Sequence, residues 1–378
     1  MNVEAPRRPS LTQEEAFARI RLLRSPHIGP VSYRQLLRRF GTAAAALDAL
    51  PDLAGRGTRT YRAAPADVVE REVEGVRRAG ARYLFHDQAD YPPMLAQTEN
   101  APPILTMRGH IALAAAPCVA LVGARNASAA AVKLARDFGG ELAEAGFTVV
   151  SGLARGIDGG AHQGALAAGK GGNGGGTIGV IASGIDITYP PQHRDLQEEV
   201  ATRGLLLAEE VPGTEPRGNL FPKRNRIIAG LSLGTLVVEA APQSGSLITA
   251  RLAGEMGREV MAIPGSPLEP RSEGCNRLIR EGAVLVHSPA DVVELLSRFD
   301  GTPRSTFREA APGWQAVDDE LADEPADIAG LLTTAPVPVD ELVRQSGAAS
   351  GAVQLALLEL ELAGRLVRHA GGRVSLNS

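Results

Sequence analysis

Between residues 100 and 300, short apolar runs rich in β-branched residues alternate with stretches of helical spacing, and few folds accommodate that alternation. Strands are expected at Val119–Val122, Thr148–Ser151, Ile178–Ala182, Leu205–Ala208, Leu236–Glu239, Val260–Ile263 and Val284–Val286. Helices should start near Ser128, Gly159, Arg194, Lys223, Ser246 and Gly274. Parallel strands need a crossover connection, which a helix supplies, so the pattern reads as a doubly wound α/β sheet. In such sheets the loops at the carboxyl ends of the strands converge on one crevice, and a ligand should sit there.

The chain has 378 residues, enough for two or three compact units. Its charge is uneven. Residues 1–80 carry 14 basic and 9 acidic side chains, 81–300 carry 19 and 23, and 301–378 carry 6 and 11, for a total of −4. A globally basic polyanion binder is excluded, whereas a local basic pocket is not. Cys118 and Cys275 are the only cysteines, so there is neither a disulfide scaffold nor zinc-ligand spacing, and a reducing cytoplasm fits. Met1 to Ser10 lacks the apolar core of an export signal, and the longest apolar run, Ile111 to Ala124, is broken by Pro117. No membrane segment is expected.

The ends read as separate modules. In the first, Thr12 with Glu15 three residues on forms a capping box, and Tyr33 to Phe40 is a second helix closed by Gly41. Between them His27-Ile-Gly-Pro-Val31 gives a helix-hairpin-helix, a motif that serves either to approach a phosphate backbone or simply to pack. The last region suggests three helices and a Gly-turned hairpin, a winged helix. Its Ser350 to Glu361 helix holds no Lys or Arg and two glutamates, which favours packing or protein contact over reading a duplex. The expected domains are 1–80, 81–300 and 328–378, with 301–327 an acidic linker.

Two glycine motifs are misplaced for phosphate chemistry. Gly164 to Lys170 resembles a P-loop but has Gly171 where Ser or Thr would reach magnesium, and Gly174 to Gly179 leads into a strand instead of leaving one. The run from Gly169 to Gly176 reads as a flexible loop. No G-x-S-x-G elbow follows a strand, so a catalytic triad has no support.

Three strand-end loops carry the chemistry. Leu121 to Ser128 and Ser151 to Asp158 each leave a strand and open a helix, which places N–H groups beside the Arg125 and Arg155 guanidinium groups. Asp158 reads as a helix cap or an arginine partner rather than an acid catalyst. In Asn219 to Gly230, Lys223, Arg224 and Arg226 crowd the first turn of a helix, which its dipole disfavours unless an anion is supplied. Five cations exceed what a mononucleotide needs and suit successive phosphates, giving a log–log salt slope near −3.5 at ~0.7 per contact. Phe221 and Tyr189 are the candidates for base stacking.

Gly123-Ala-Arg125, Ser151 to Asp158, Phe221 to Ser232, Val237 to Ala240 with Ser244 to Thr249, and Gly274 to Ile279 together resemble the DNA-processing protein A (DprA/Smf) family, strongly over about residues 85–297. The resemblance implies an extended Rossmann-like sheet flanked by a helix-hairpin-helix (SAM-like) domain and a winged helix. It also implies a non-enzymatic homodimer without cofactor or metal that binds single-stranded DNA, protects it and loads the RecA recombinase during natural transformation. By that resemblance Arg125, Ser151, Gly152, Arg155, Phe221, Lys223, Arg224, Asn225 and Arg226 line the DNA pocket. Relatives often carry a basic residue where this chain has Pro191, so His193 or Arg194 would substitute. The rival reading is a nucleotide-binding or nucleotide-processing enzyme, whose P-G-G-x-G-T-x-x-E loop is missing around Pro264-Gly-Ser-Pro267 and Glu239.

Overall fold

The computed structural model describes residues 11–54, 61–169, 175–297, 327–369 and 371–377. The acidic linker, apart from Asp327, and Lys170 to Gly174 of the glycine loop lie outside the described residues. Residues 9–71 and 307–378 form one compact unit and 72–306 the greater part of another.

The chain opens with α1 (Gln13–Leu23), α2 (Pro30–Phe40) and α3 (Ala43–Ala54), followed by α4 (Ala66–Arg78). Thr12 caps α1 by accepting from the Glu15 amide at 3.2 Å. The Glu15 carboxylate accepts from the Ala43 amide and from Arg19, both at 2.9 Å, tying the start of α3 to α1. Gly41 closes α2 at φ 75°, a conformation that costs a glycine little.

The sheet unit comprises β1 (Arg82–Phe85), α5 (Pro93–Ala96), β2 (Ile104–Gly109), β3 (Cys118–Val122), α6 (Ala129–Glu144), β4 (Thr148–Ser151), α7 (Ile157–Ala168), β5 (Thr177–Gly184), α8 (Arg194–Arg203) and β6 (Leu205–Glu210). It continues through α9 (Leu220–Leu231), β7 (Gly234–Val237), α10 (Ser246–Glu255), β8 (Glu259–Ala262), α11 (Glu273–Arg280), β9 (Val284–Leu285) and α12 (Pro289–Ser297). The strand order is β1-β2-β6-β5-β4-β3-β7-β8-β9. From β6 to β9 every pairing is parallel, and these are the seven strands the sequence pattern predicts. β1 and β2 pair antiparallel and extend the sheet at one edge, so it is mixed.

Alternation along each strand builds the two faces. Cys118, Ala120 and Val122 of β3 pack with Ile227, Ile228 and Leu231 of α9, while Val119 and Leu121 pack with Phe138 and Leu142 of α6 and Ile157 of α7. Gly164 lies inside α7, so the P-loop-like string makes no phosphate loop. No helix among the described residues is long and apolar enough to cross a membrane.

The terminal unit continues with β10 (Val337–Pro338), α13 (Val339–Ser346), α14 (Ser350–Leu362), β11 (Leu366–His369) and β12 (Arg373–Leu376). β12 pairs with both β10 and β11, and Gly371 and Gly372 make the turn. Among the described residues, the first of the three helices expected here is only a 3₁₀ turn at Ala329–Leu331. Leu358 and Leu362 of α14 belong to the same core as Leu22, Tyr33, Leu36 and Leu50, so the acidic helix is a packing element.

Candidate nucleic-acid interface

β3 has β4 on one side and β7 on the other, so the strand order reverses there, and loops leaving adjacent strands diverge at such a point. A cleft of about 720 Å³ opens at the carboxyl ends of these strands. Its near wall is the β3 loop. Ser128 caps α6 by accepting from the Ala131 amide, and its own amide and hydroxyl donate to the Glu239 carboxylate at 2.9 and 2.8 Å. The Ala124 amide donates to the Glu239 carbonyl at 2.7 Å, so the β7 end stitches the loop in place.

That loop presents Arg125 to solvent. Its guanidinium lies 4.4 Å over the Phe221 ring, and Phe221 in turn meets Tyr189 at 5.8 Å between centroids. A cation stacked on an aromatic face keeps its outward N–H groups for an anion. Phe221, Arg224, Asn225, Gln243 to Ser246, Thr249 and Arg271 complete the lining.

The β4 loop forms the floor. Ser151 is buried and donates its hydroxyl to the Leu121 carbonyl at 2.6 Å, which fixes the strand end and leaves no hydroxyl for a ligand. Leu153 holds φ 55°, a strained value for a non-glycine residue. Its conformation is pinned by Asp158, which accepts from the Gly152 and Ala154 amides at 3.1 and 3.3 Å, and by His193, whose Nδ1 meets the Leu153 carbonyl at 2.9 Å.

Arg224 explains the glycine at 152. Arg224 is 5 % exposed, and its guanidinium donates to the Val180 carbonyl at 2.7 Å and fills the place a Cβ on Gly152 would need, 1.7 Å from Nη1. Burial pushes Arg224 down to about 10 and pushes the Asp158 carboxyl up, each shift opposed by the other's charge. Arg224 therefore stays charged at neutral pH, beneath the cleft.

The crowded first turn of α9 finds its anions within the chain. Lys223 pairs with Glu210 at 2.8 Å, and Arg226 with Glu209 while also donating to the Asn100 carbonyl. The last two residues of β6 thus supply anions that the helix dipole calls for at this turn. Arg125, Phe221, Arg224 and Asn225 share the cleft, with Gly152 in an adjoining crevice beside Tyr189. Lys223, Arg226 and Arg155 lie outside its lining, although Arg155 is exposed next to Ala154 and makes no ion pair among the described residues. Asp158 joins the floor as a clamp and arginine neighbour. Arg271 escaped the sequence reading because nothing in a lone surface arginine on a 3₁₀ turn separates it from the other arginines.

Among the described residues no cluster of His, Cys, Asp and Glu could hold a metal ion, and burial pushes both thiols up to about 12.

A family model described as DNA recombination-mediator protein A matches residues 82–297, one for a DprA-like N-terminal HHH domain matches 13–75, and one for the DprA winged helix domain matches 312–372. Protein Smf of Escherichia coli is 36% identical over 326 residues, covering 85% of this chain and 84% of its own. The X-ray structure of DNA processing protein A from Streptococcus pneumoniae aligns at TM-score 0.60 and 34% identity, covering 77% of this chain and 99% of that one. A second, from Helicobacter pylori, described for its unique single-stranded DNA binding mode, aligns at TM-score 0.51 and 27% identity, covering 57% and 95%. The chain belongs to the DNA recombination-mediator protein A family, also called DprA/Smf.

Proposed function

We propose that the cleft at the β3/β7 switch point binds single-stranded DNA without sequence preference, and that the protein protects such strands and loads RecA on them during natural transformation. The observation that carries this reading is Arg125, exposed, stacked on Phe221 and set over the buried charge of Arg224. Cations here meet phosphates, and the Phe221–Tyr189 row offers stacking to any base, so affinity should depend on salt more than on sequence. Lys223 and Arg226 are already paired. The phosphate contacts reduce to about three, from Arg125, Arg155 and Arg271, and the expected salt slope to about −2 at ~0.7 each.

A non-enzymatic role is supported by the carboxylates nearest the cleft. Asp158 is committed to two backbone amides and Glu239 to Ser128, so neither is poised to activate a water. Incubation with nucleoside monophosphates should release no free base.

The homodimer reading draws on the open sheet edge. β9 ends the sheet with Val284 and Leu285 exposed, the latter at 49 %. Exposed apolar side chains along an unpaired strand favour a second copy. Leu285→Arg should yield a monomer in sedimentation equilibrium, and an unchanged mass would remove that edge from the interface. Recombinase loading is tested by adding the protein to strand-exchange reactions started on protein-coated single strands. Acceleration is expected for the unaltered chain and should be lost with Arg125→Ala.

A further inference from the structure

Part of the cleft wall is the start of α10, where Gly245 is the N-cap and Ser246 the first helical residue. A helix start leaves amides without partners inside the helix, and its dipole draws anions to them. Among the described residues the chain leaves these amides largely unanswered. Gly245 brings no capping side chain, the first turn holds no acid, and the Gly245 amide has no hydrogen-bond partner. The Ser246 amide reaches only the Ser244 hydroxyl, at 3.4 Å. The start of α6 behaves differently: Ser128 caps it and Glu239 answers it.

Buried side chains at the same place point to a ligand. Thr249, one turn into α10, is 2 % exposed and lines the cleft, yet its hydroxyl makes no hydrogen bond among the described residues. A hydroxyl so nearly covered is costly to leave unpaired, and a group entering the cleft would pair it. Ser244 and Ser246 share one bond between their hydroxyls at 2.7 Å, which leaves one proton of the pair to donate outward. Asn225, 8 % exposed, donates through Nδ2 to the Gly245 carbonyl at 3.3 Å, and its Oδ1 accepts nothing among the described residues. Arg271, exposed in the same lining, makes no ion pair among the described residues.

Depth and charge select the ligand. A phosphodiester inside a strand carries a sugar on each side, so it stays at the mouth, whereas a terminal phosphate can descend to Thr249. A monoester also brings a charge of about −1.5 to −2 against the single charge of a diester. In its singly ionised form it keeps a P–OH proton for Asn225 Oδ1, which a diester lacks. The cleft volume of about 720 Å³ leaves room for the nucleoside behind the phosphate.

We propose that the α10 end of the cleft is a phosphomonoester site, with Gly245, Ser246, Thr249 and Arg271 as its donors, which takes the terminal phosphate of a strand or that of a free mononucleotide. The strand form rests on the single-strand reading of the groove given above. The mononucleotide form does not.

The test titrates the full chain with fluorescent oligothymidine ending in a 5′-phosphate, in a 3′-phosphate, or in hydroxyls at both ends. A phosphate at one end should raise affinity about tenfold over the hydroxyl-ended strand, the scale of one additional charge-assisted hydrogen bond. Thr249→Val, which keeps the shape and loses the hydroxyl, should remove most of that gain. Arg271→Ala, a change at an exposed side chain, should do the same and keeps the test open if Thr249→Val disturbs the helix. Calorimetric titration of dTMP, with thymidine beside it, separates the two sources. Saturable dTMP binding that thymidine does not share and both substitutions weaken, with equal affinity for the three strands, assigns the site to a free nucleotide. If no strand binds at all, the groove reading falls and the dTMP titration alone decides this one. The proposal is overturned by absent dTMP binding together with equal affinity for the three strands, by thymidine binding as well as dTMP, or by an end-phosphate gain that survives both substitutions.

Discussion

The loop after β3 leaves Arg125 exposed and stacked on an aromatic ring, whereas the turn before α2 is buried against Glu361. Both have a glycine, a helix start and a nearby cation. They differ in whether the chain supplies its own anion. The same difference recurs inside the sheet unit, where Lys223 and Arg226 are answered by Glu210 and Glu209 while Arg125 and Arg155 make no ion pair among the described residues. Local sequence thus shows where an anion can be received. Whether the chain fills that seat itself depends on acids far away in sequence, 13 residues for Lys223 and 329 for Ser32.

The comparison breaks most visibly if the floor of the open site is altered. Asp158→Asn keeps the side-chain shape but weakens the two bonds accepted from the Gly152 and Ala154 amides and leaves Arg224 without an opposing charge, so stability should fall by about 3 kcal/mol, at ~1.5 for each charge-assisted bond. Denaturant unfolding reads this directly. A loss under a few tenths of a kcal/mol would mean that Arg224 does not depend on Asp158.

Next in size is the contrast among cations on the groove side. Arg125→Ala should weaken oligothymidine binding by about 2 kcal/mol, as expected for a charge-assisted contact, and by the same amount for all base compositions. Lys223→Ala should cost less than about 1 kcal/mol, since its charge is already shared with Glu210 at a half-exposed pair. Equal losses in fluorescence titrations would erase the distinction between open and answered cations.

The inner parallel strands were legible because strands buried on both faces read as unbroken Val, Ile and Leu runs, whereas β9, exposed at the sheet edge, was legible from its short Val284-Leu-Val286 run alone. β1 and β2 were not. Arg82-Tyr83-Leu84-Phe85 has an exposed charge at one end, and Ile104–Gly109 follows two prolines, so neither shows a clean period. At the site, Arg125 and Phe221 were legible from their loops. The burial of Ser151 and Arg224 was not, because the Leu121 and Val180 carbonyls that hold them lie 30 and 44 residues away.

A smaller effect sharpens the same contrast with pH. His162 lies under the β4 loop; Thr177 donates its hydroxyl to the Val149 carbonyl, so the His162 Nδ1–H donates to Thr177, and Nε2 is buried with no hydrogen-bond partner among the described residues. Burial, helped by His193 and Arg224, pushes its pKa down to about 3. The unfolded chain, with an ordinary histidine near 6.5, binds this proton first, so the stability contribution is present above ~6.5 and is lost as pH falls toward 3. The melting temperature should drop over that window, and His162→Gln should flatten the drop. Asp158, whose pKa is raised, works in the opposite sense and softens it.

The most direct measurement is the salt dependence of oligothymidine binding, made side by side on the unaltered chain and on Arg125→Ala. An open groove gives a log–log slope of about −2 that becomes shallower by ~0.7 when Arg125 is removed. Identical slopes for the two proteins, or a slope near zero for the unaltered one, would contradict a single strand held by its phosphates at the β3/β7 cleft.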